Sequence, residues 1–219
     1  MSQNARLLIN IIIDNSSSMK GEKLQKLKSA LGLFHDSILA SKLDFLYSVI
    51  GYKGFQAAIF KSYDDEVLNL DDIYEGGLAL LGKAVLLGVK TLEEKLITLR
   101  TQGCKLYKPW FVILSDGQCY GELDSQLEAF KDLYKKQSIT YFPFLLSNNP
   151  LDEKLTEFQS LKRPLVIANL QYDKLFKWLF ETLKLRITTQ VEQTIRLTST
   201  AFDGTFSVKL PSISVTVPF

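Results

Sequence analysis

The first apolar run is ARLLINIII, residues 5–13, almost unbroken and holding four isoleucines. It is too short for a typical helix and reads as a strand buried on both faces. Between residues 22 and 40, Leu24, Leu27, Leu31, Phe34 and Ile38 recur at helical spacing, which predicts an amphipathic helix. Two β-prone runs within 44–60 flank Lys53-Gly54 and predict a tight turn joining an antiparallel pair. A second helix is expected over 79–100, just after Gly76-Gly77. PWFVIL, 109–114, is another buried strand and runs into the polar residues SDG. A charged amphipathic helix follows over 122–137, then a strand over 139–146 whose proline indicates an irregularity or an edge. Residues 150–161 form a helix with Pro150 near its start. RPLVIA supplies a short last strand, and 172–185 a helix with Leu175, Trp178, Leu179 and Leu183 on one stripe.

Strands alternating with helices imply a three-layer α/β domain, a mostly parallel sheet covered on both faces, with one antiparallel edge strand. Residues 187–219 break the alternation. They are rich in threonine, serine and valine, and Ile195, Leu197, Phe206, Val208 and Leu210 alternate with polar positions around Asp203-Gly204, a hairpin signal. The expected organisation is one domain over 1–186 and a β-hairpin extension over 187–219. A lone hairpin is marginally stable, so this one must pack on the domain, swap to another copy or add to a partner's sheet. Its Thr188, Thr189, Thr194, Thr198, Ser199 and Thr200 are either kinase targets or plain β-formers on a solvent face.

Composition narrows the classes. With 46% hydrophobic and 23% charged residues, the 219-residue chain is ordinary for a soluble globular protein. A net charge of +2 and the lack of a basic stripe argue against nucleic acid. No apolar stretch reaches the roughly 18 residues of a membrane span, and MSQNARLLIN lacks the layout of a signal peptide. Cys104 and Cys119 define neither a disulfide framework nor a zinc site, and suit a reducing cytoplasm.

The candidate chemistry lies at the strand ends. Ligands of an open parallel sheet bind where the carboxyl ends of neighbouring strands splay apart. Two buried strands end on acids there, the first at Asp14 and the PWFVIL strand at Asp116. If the two strands are neighbours, both carboxylates face one crevice. In an extended IIIDNSSSM, Asp14, Ser16 and Ser18 point to one side while Asn15 and Ser17 point away. Oxygen donors of this kind suit a hard cation such as Mg²⁺. The competing explanation is that the acid and serines merely cap the helix beginning near Lys20.

DNSSSM resembles the D-x-S-x-S motif of von Willebrand factor A domains, and ILSDG resembles their second acidic segment, hydrophobic-T-D-G. GEKLQKLKSAL and GGLALLGKAV look like a bacterial branch, the TerY-like, tellurium-resistance-associated proteins. The likeness covers roughly residues 5–185 and lies in the order of elements as much as in either motif. It implies a metal-ion-dependent adhesion site for Mg²⁺. Ser16 and Ser18 would be direct ligands, and Asp14 and Asp116 would bind directly or through water. A partner's Asp or Glu would complete the coordination. The family's threonine after Gly-Gly is replaced by Leu78, which removes one oxygen ligand. The branch further implies an adaptor or regulatory subunit beside a Ser/Thr kinase or PP2C-type phosphatase, in bacterial stress or phage-defence modules.

Other readings of the same residues are weaker. GLALLGK, 77–83, has phosphate-loop spacing, but Ala84 stands where a magnesium-binding hydroxyl is required and no strand runs into it. Phosphotransfer through Asp14, as in haloacid-dehalogenase-type phosphatases, needs a second acid where Ser16 stands. A response-regulator receiver needs a lysine ending a late strand, and FLLSNNP has none. A serine hydrolase needs a histidine base, and His35 lies within the first helix pattern. The chain therefore reads as a binding module rather than an enzyme: either a protein-binding module using the strand-end loops, Mg²⁺-assisted, or a metal-independent scaffold using the C-terminal hairpin.

Overall fold

The computed structural model describes residues 5–120, 124–136, 138–146, 161–162, 164–167 and 170–188. Among them are six strands: β1 (Leu7–Ile13), β2 (Phe45–Lys53), β3 (Gln56–Lys61), β4 (Trp110–Ser115), β5 (Thr140–Leu145) and β6 (Leu165–Val166). The helices are α1 (Glu22–Ser41), α2 (Leu81–Thr101), α3 (Asp124–Lys135) and α4 (Tyr172–Thr188). The helix expected over 150–161, Leu161 apart, and the expected extension beyond Thr188 lie outside the described residues. Residues 187 and 188 still belong to α4.

The strands form one sheet in the order β3-β2-β1-β4-β5-β6, parallel except for β3 at one edge. This is the mostly parallel, three-layer α/β architecture with an antiparallel edge that the alternation implied. The β2–β3 turn forms at the expected place. Gly54 adopts φ +60°, so the two-residue loop Gly54-Phe55 can reverse the chain without a Cβ clash.

β1 lies at the centre. Ile12 aligns with Ile50 of β2 on one side and with Ile113 of β4 on the other. Every residue of β1 is buried. Leu7, Ile9, Ile11 and Ile13 pack with Leu27, Leu31 and Phe34 of α1 and Leu175 and Leu179 of α4. Leu8 and Ile12 pack with Val85 and Leu92 of α2 and Leu127 and Phe130 of α3. Each such side chain taken fully from water contributes roughly 1.5–3 kcal/mol. The period of two thus serves two helical layers at once, which is why the strand reads as one unbroken apolar run.

Asn10 interrupts that run and is fully buried. Its amide donates to the carbonyl of Gly88, and its carbonyl oxygen accepts from the Ser48 hydroxyl. The bond to Gly88 ties α2 directly to the central strand. A Cβ on Gly88 would lie 2.9 Å from Phe111 and 3.0 Å from Ile12, so only glycine lets the helix backbone come this near.

The proline in β5 has a specific place. Thr140 N–H and Leu146 N–H donate to β4-side carbonyls, those of Pro109 and Ser115. By alternation, position 143 turns its missing N–H away from β4. β6 pairs only with Phe144 and Leu145. Pro143 therefore removes no ladder bond, although β5 is not an edge strand along its whole length.

Gly88→Ala is expected to lower unfolding stability by roughly 1–3 kcal/mol, because the added methyl must push α2 off the sheet. Denaturant melts of parent and variant measure this, and equal midpoints would contradict the close approach of helix and strand.

Candidate metal centre at the carboxyl edge of the sheet

β1 and β4 are adjacent and parallel, with the chain crossing over in opposite directions on either side of them. Their carboxyl ends therefore open onto one crevice. Asp14 follows β1 and Asp116 follows β4, and both are buried. Asp14 Oδ1 accepts from the Ser16 N–H at 3.0 Å and from Ser16 Oγ at 2.6 Å. Ser16 Oγ lies 3.0 Å from Ser18 Oγ. Asp14 Oδ2 accepts from the Asp116 N–H at 3.3 Å and from Ser115 Oγ at 3.4 Å. The structure thus joins Asp14, Ser16 and Ser18 in one hydrogen-bonded group and brings Asp116 to it through its backbone N–H, while the Asp116 carboxylate accepts from Gln118 N–H at 3.2 Å.

The serines do not cap α1. The residue before that helix is Gly21, at φ +77°, and it offers no side-chain cap. Ser16 leads a short 3-10 turn over Ser17–Met19, and its hydroxyl donates to Asp14 rather than to the turn's backbone. The capping alternative is excluded by that geometry.

Asn15 and Ser17 turn away from the acids, and both hold the loop in place. Asn15 Nδ2 donates to the carbonyls of Tyr52 at 2.8 Å and Tyr74 at 2.7 Å, and its Oδ1 accepts from Tyr52 N–H at 2.7 Å. Its backbone carbonyl accepts from Gly76 N–H at 2.7 Å. Ser17 N–H and Oγ both donate to the carbonyl of Gly77. Leaving buried backbone groups such as these unpaired costs about 1–3 kcal/mol each. Two glycines make room for Asn15. A Cβ on Gly51 would lie 2.6 Å from Asn15 Oδ1, and one on Gly76 would lie 2.8 Å from Asn15 Nδ2 and 2.4 Å from the Tyr52 carbonyl. The Gly-Gly before α2 is therefore a packing requirement of the loop. Leu78, directly after it, is partly exposed on the rim.

Burial, and then the nearby charge of Asp116, push the Asp14 carboxyl up to about 6, against the pull of the bonds from Ser16 and Asp116. Two phenols share this environment. Tyr52, at the end of β2, and Tyr172, at the start of α4, are fully buried, and neither hydroxyl has a hydrogen-bond partner among the described residues. Burial raises both, with the charges of Asp14 and Asp116 adding to it, and Tyr172 reaches about 12. Sequence alone places Asn15 only as pointing away from the acids and assigns no role to Ser115, Tyr52 or Tyr172. The serine of ILSDG was a visible clue to Ser115, and Gly51 and Gly76 were clues to a crowded backbone. Nothing in sequence linked Tyr172 to Asp14.

Chemically the cluster offers two carboxylates and three hydroxyls. These are hard oxygen donors of the kind that hold Mg²⁺, and like-charged acids side by side are relieved by a cation between them. The two remaining suspects lie elsewhere. His35 Nδ1 is 2.5 Å from the Tyr47 hydroxyl, between α1 and β2. Lys83 lies within α2 with its ammonium on the Phe55 carbonyl.

Fold and site together define a class, an open α/β sheet that carries an acid-and-hydroxyl cluster where its two central strands end. The family model of the von Willebrand factor type A domain matches residues 9–176, and the chain belongs to that family. Domains of this family commonly mediate protein–protein interaction and are typically non-catalytic. Two solved structures share the fold. The TFIIH p34 N-terminal domain is 13% identical with a TM-score of 0.58, covering 82% of this chain and 99% of that one. Proximal thread matrix protein 1 from the mussel byssus is 13% identical with a TM-score of 0.56, covering 82% of this chain and 48% of that one. No curated protein matches in sequence. Among the described residues, no helix is long and apolar enough to cross a membrane.

The raised Asp14 makes stability depend on pH. Unfolded, this carboxyl titrates near its ordinary 3.8, and folded near 6. Between those values the folded state holds more protons, so the stability present below about pH 4 is lost as pH rises through 6. In chelator, the unfolding free energy of the parent relative to Asp14→Asn should fall by on the order of 2–3 kcal/mol from pH 4 to 6.5, then level off. Denaturant melts at stepped pH measure it, and a flat difference would refute the shift.

Proposed function

We propose that this chain is a protein–protein interaction module that engages its partner through the loops after β1, β2 and β4. Mg²⁺, when bound, is held by Asp14, Ser16, Ser18 and Asp116. The observation that carries this reading is the hydrogen-bonded group of Asp14, Ser16, Ser18 and Ser115 beside a second buried acid, Asp116, at the carboxyl edge of the sheet. A desolvated cation with an open position gives a partner's carboxylate a strong, directional contact. Leu78 supplies no oxygen, so water fills that position and affinity is weaker than with a threonine there.

The likeness of GEKLQKLKSAL and GGLALLGKAV to the TerY-like branch supports a finer reading. The partner is then a Ser/Thr kinase or a PP2C-type phosphatase in a bacterial stress or phage-defence module, and the chain is a cytoplasmic adaptor rather than an enzyme. Two features favour binding over turnover. Ser16 stands where a phosphotransfer site would need a general acid, and His35 is engaged with Tyr47. A metal-independent scaffold is the second reading, favoured by Leu78 lying exposed where an oxygen ligand would be.

Calorimetric titration with Mg²⁺ and Mn²⁺ tests the metal. The parent should bind, Asp14→Ala should lose at least roughly tenfold in affinity, and Leu78→Thr should bind more tightly than the parent. Binding by Leu78→Thr alone would leave the scaffold reading, and no binding by any of the three would remove the metal from the account.

A further inference from the structure

The rim around the acid cluster has a composition of its own. Phe55, at the tip of the β2–β3 hairpin, is 74% exposed, Leu78 39% and Tyr120 49%. The three stand on neighbouring backbone segments. A Cβ on Gly77 would come within 3.5 Å of the Gly54 carbonyl, which sets the hairpin tip against the Gly77-Leu78 loop. On the other side, Tyr120 N–H donates to the carbonyl of Ala79 at 2.9 Å. Large apolar side chains clustered beside a binding crevice mark an interface more strongly than scattered ones do.

The charges left without an opposite partner on the same rim, among the described residues, are positive. Lys23 Nζ donates to the carbonyl of Ser18, Lys83 Nζ donates to that of Phe55, and Lys53 lies over the rings of Phe60 and Tyr74. None of the three has a carboxylate partner among the described residues, whereas Lys20 is paired with Glu75. Apart from Glu75, the nearby acids among the described residues, Asp14 and Asp116, are buried beneath. A cation on that pair would cancel them and leave the face positive.

We propose that this face takes an acidic segment of another protein that carries one large apolar side chain. That side chain packs on Phe55, Leu78 and Tyr120, and flanking carboxylates meet Lys23, Lys53 and Lys83. The inference rests on the strand-end interface proposed above and adds the chemistry of its partner. Leu78 then has a positive role, as an apolar anchor on the rim where the family has a threonine. Charge complementarity of this kind steers encounter and weakens as salt rises, while the apolar contact sets residence time.

An array of immobilised nonapeptides tests this with the full chain in Mg²⁺ and again in chelator. The central residue is Leu, Phe or Ser, and the flanks are Glu/Asp, Ser/Gly or Lys. The parent should retain best the Glu/Asp-flanked peptides with Leu or Phe at the centre. Phe55→Ala with Leu78→Ala should erase the preference for Leu and Phe over Ser. Lys53→Glu with Lys83→Glu should weaken acidic peptides about tenfold or more while the variant stays folded by circular dichroism. Equal or better retention of neutral or basic peptides, no retention at all, or unchanged selection by these variants would overturn the inference. Selection that persists in chelator and in Asp14→Ala would support it while sinking the metal-assisted reading. Intact Mg²⁺ binding without selection would sink the inference alone.

Discussion

A strand hydrogen-bonded along both edges and covered by helices on both faces has only its ends for a polar group that must meet a ligand. β1 is such a strand. Asn10, its one internal polar residue, needs both Gly88 and Ser48 to satisfy it. At the carboxyl end the chain leaves the sheet, and Asp14 stands at that step. Its carboxylate is deep enough to be desolvated and near enough to β4 to feel Asp116. The site follows from where the central strand stops.

Desolvation raises the energy of the ionised Asp14, and the surrounding bonds hold its loop in place. Asn15 ties the loop to β2 and to the segment before α2, and Ser17 ties it to Gly77. The hydroxyls of Ser16 and Ser18 are held on the same side as Asp14. A loop prepared in this way gives up little entropy when something binds, which favours affinity without a large contact area. The same ties join the acid loop to Tyr52 near the hairpin and to Gly77 just before Leu78.

Much of this was legible in the chain order. The five apolar positions of α1 and the four of α4 that share helical spacing are all buried, because an amphipathic stripe has only one way to face a sheet. Lys53-Gly54 marked the hairpin, since a two-residue turn demands a positive φ that glycine supplies at no steric cost. DNSSSM and ILSDG marked the two acids, since strand-end polar residues after apolar runs are local features. By itself the proline of β5 indicates either an irregularity or an edge. Its tolerance depends instead on how far β6 reaches along β5, which no local pattern encodes.

The sequence by itself determined the alternation of strands and helices, the antiparallel edge pair and the identity of the acids and hydroxyls. Each of these is written in period, turn chemistry or a short motif, all short-range properties of the chain. Only the tertiary structure decided that β1 and β4 are neighbours, that Asn15 rather than a helix cap secures the loop, that Ser115 bonds Asp14, and that Tyr52 and Tyr172 feel its charge. It also brought the segments that carry Phe55, Leu78 and Tyr120 next to one another. Those relations join residues tens to more than a hundred positions apart. They arise from strand order and from glycines that let backbones touch, and neither is a property of any one stretch of sequence.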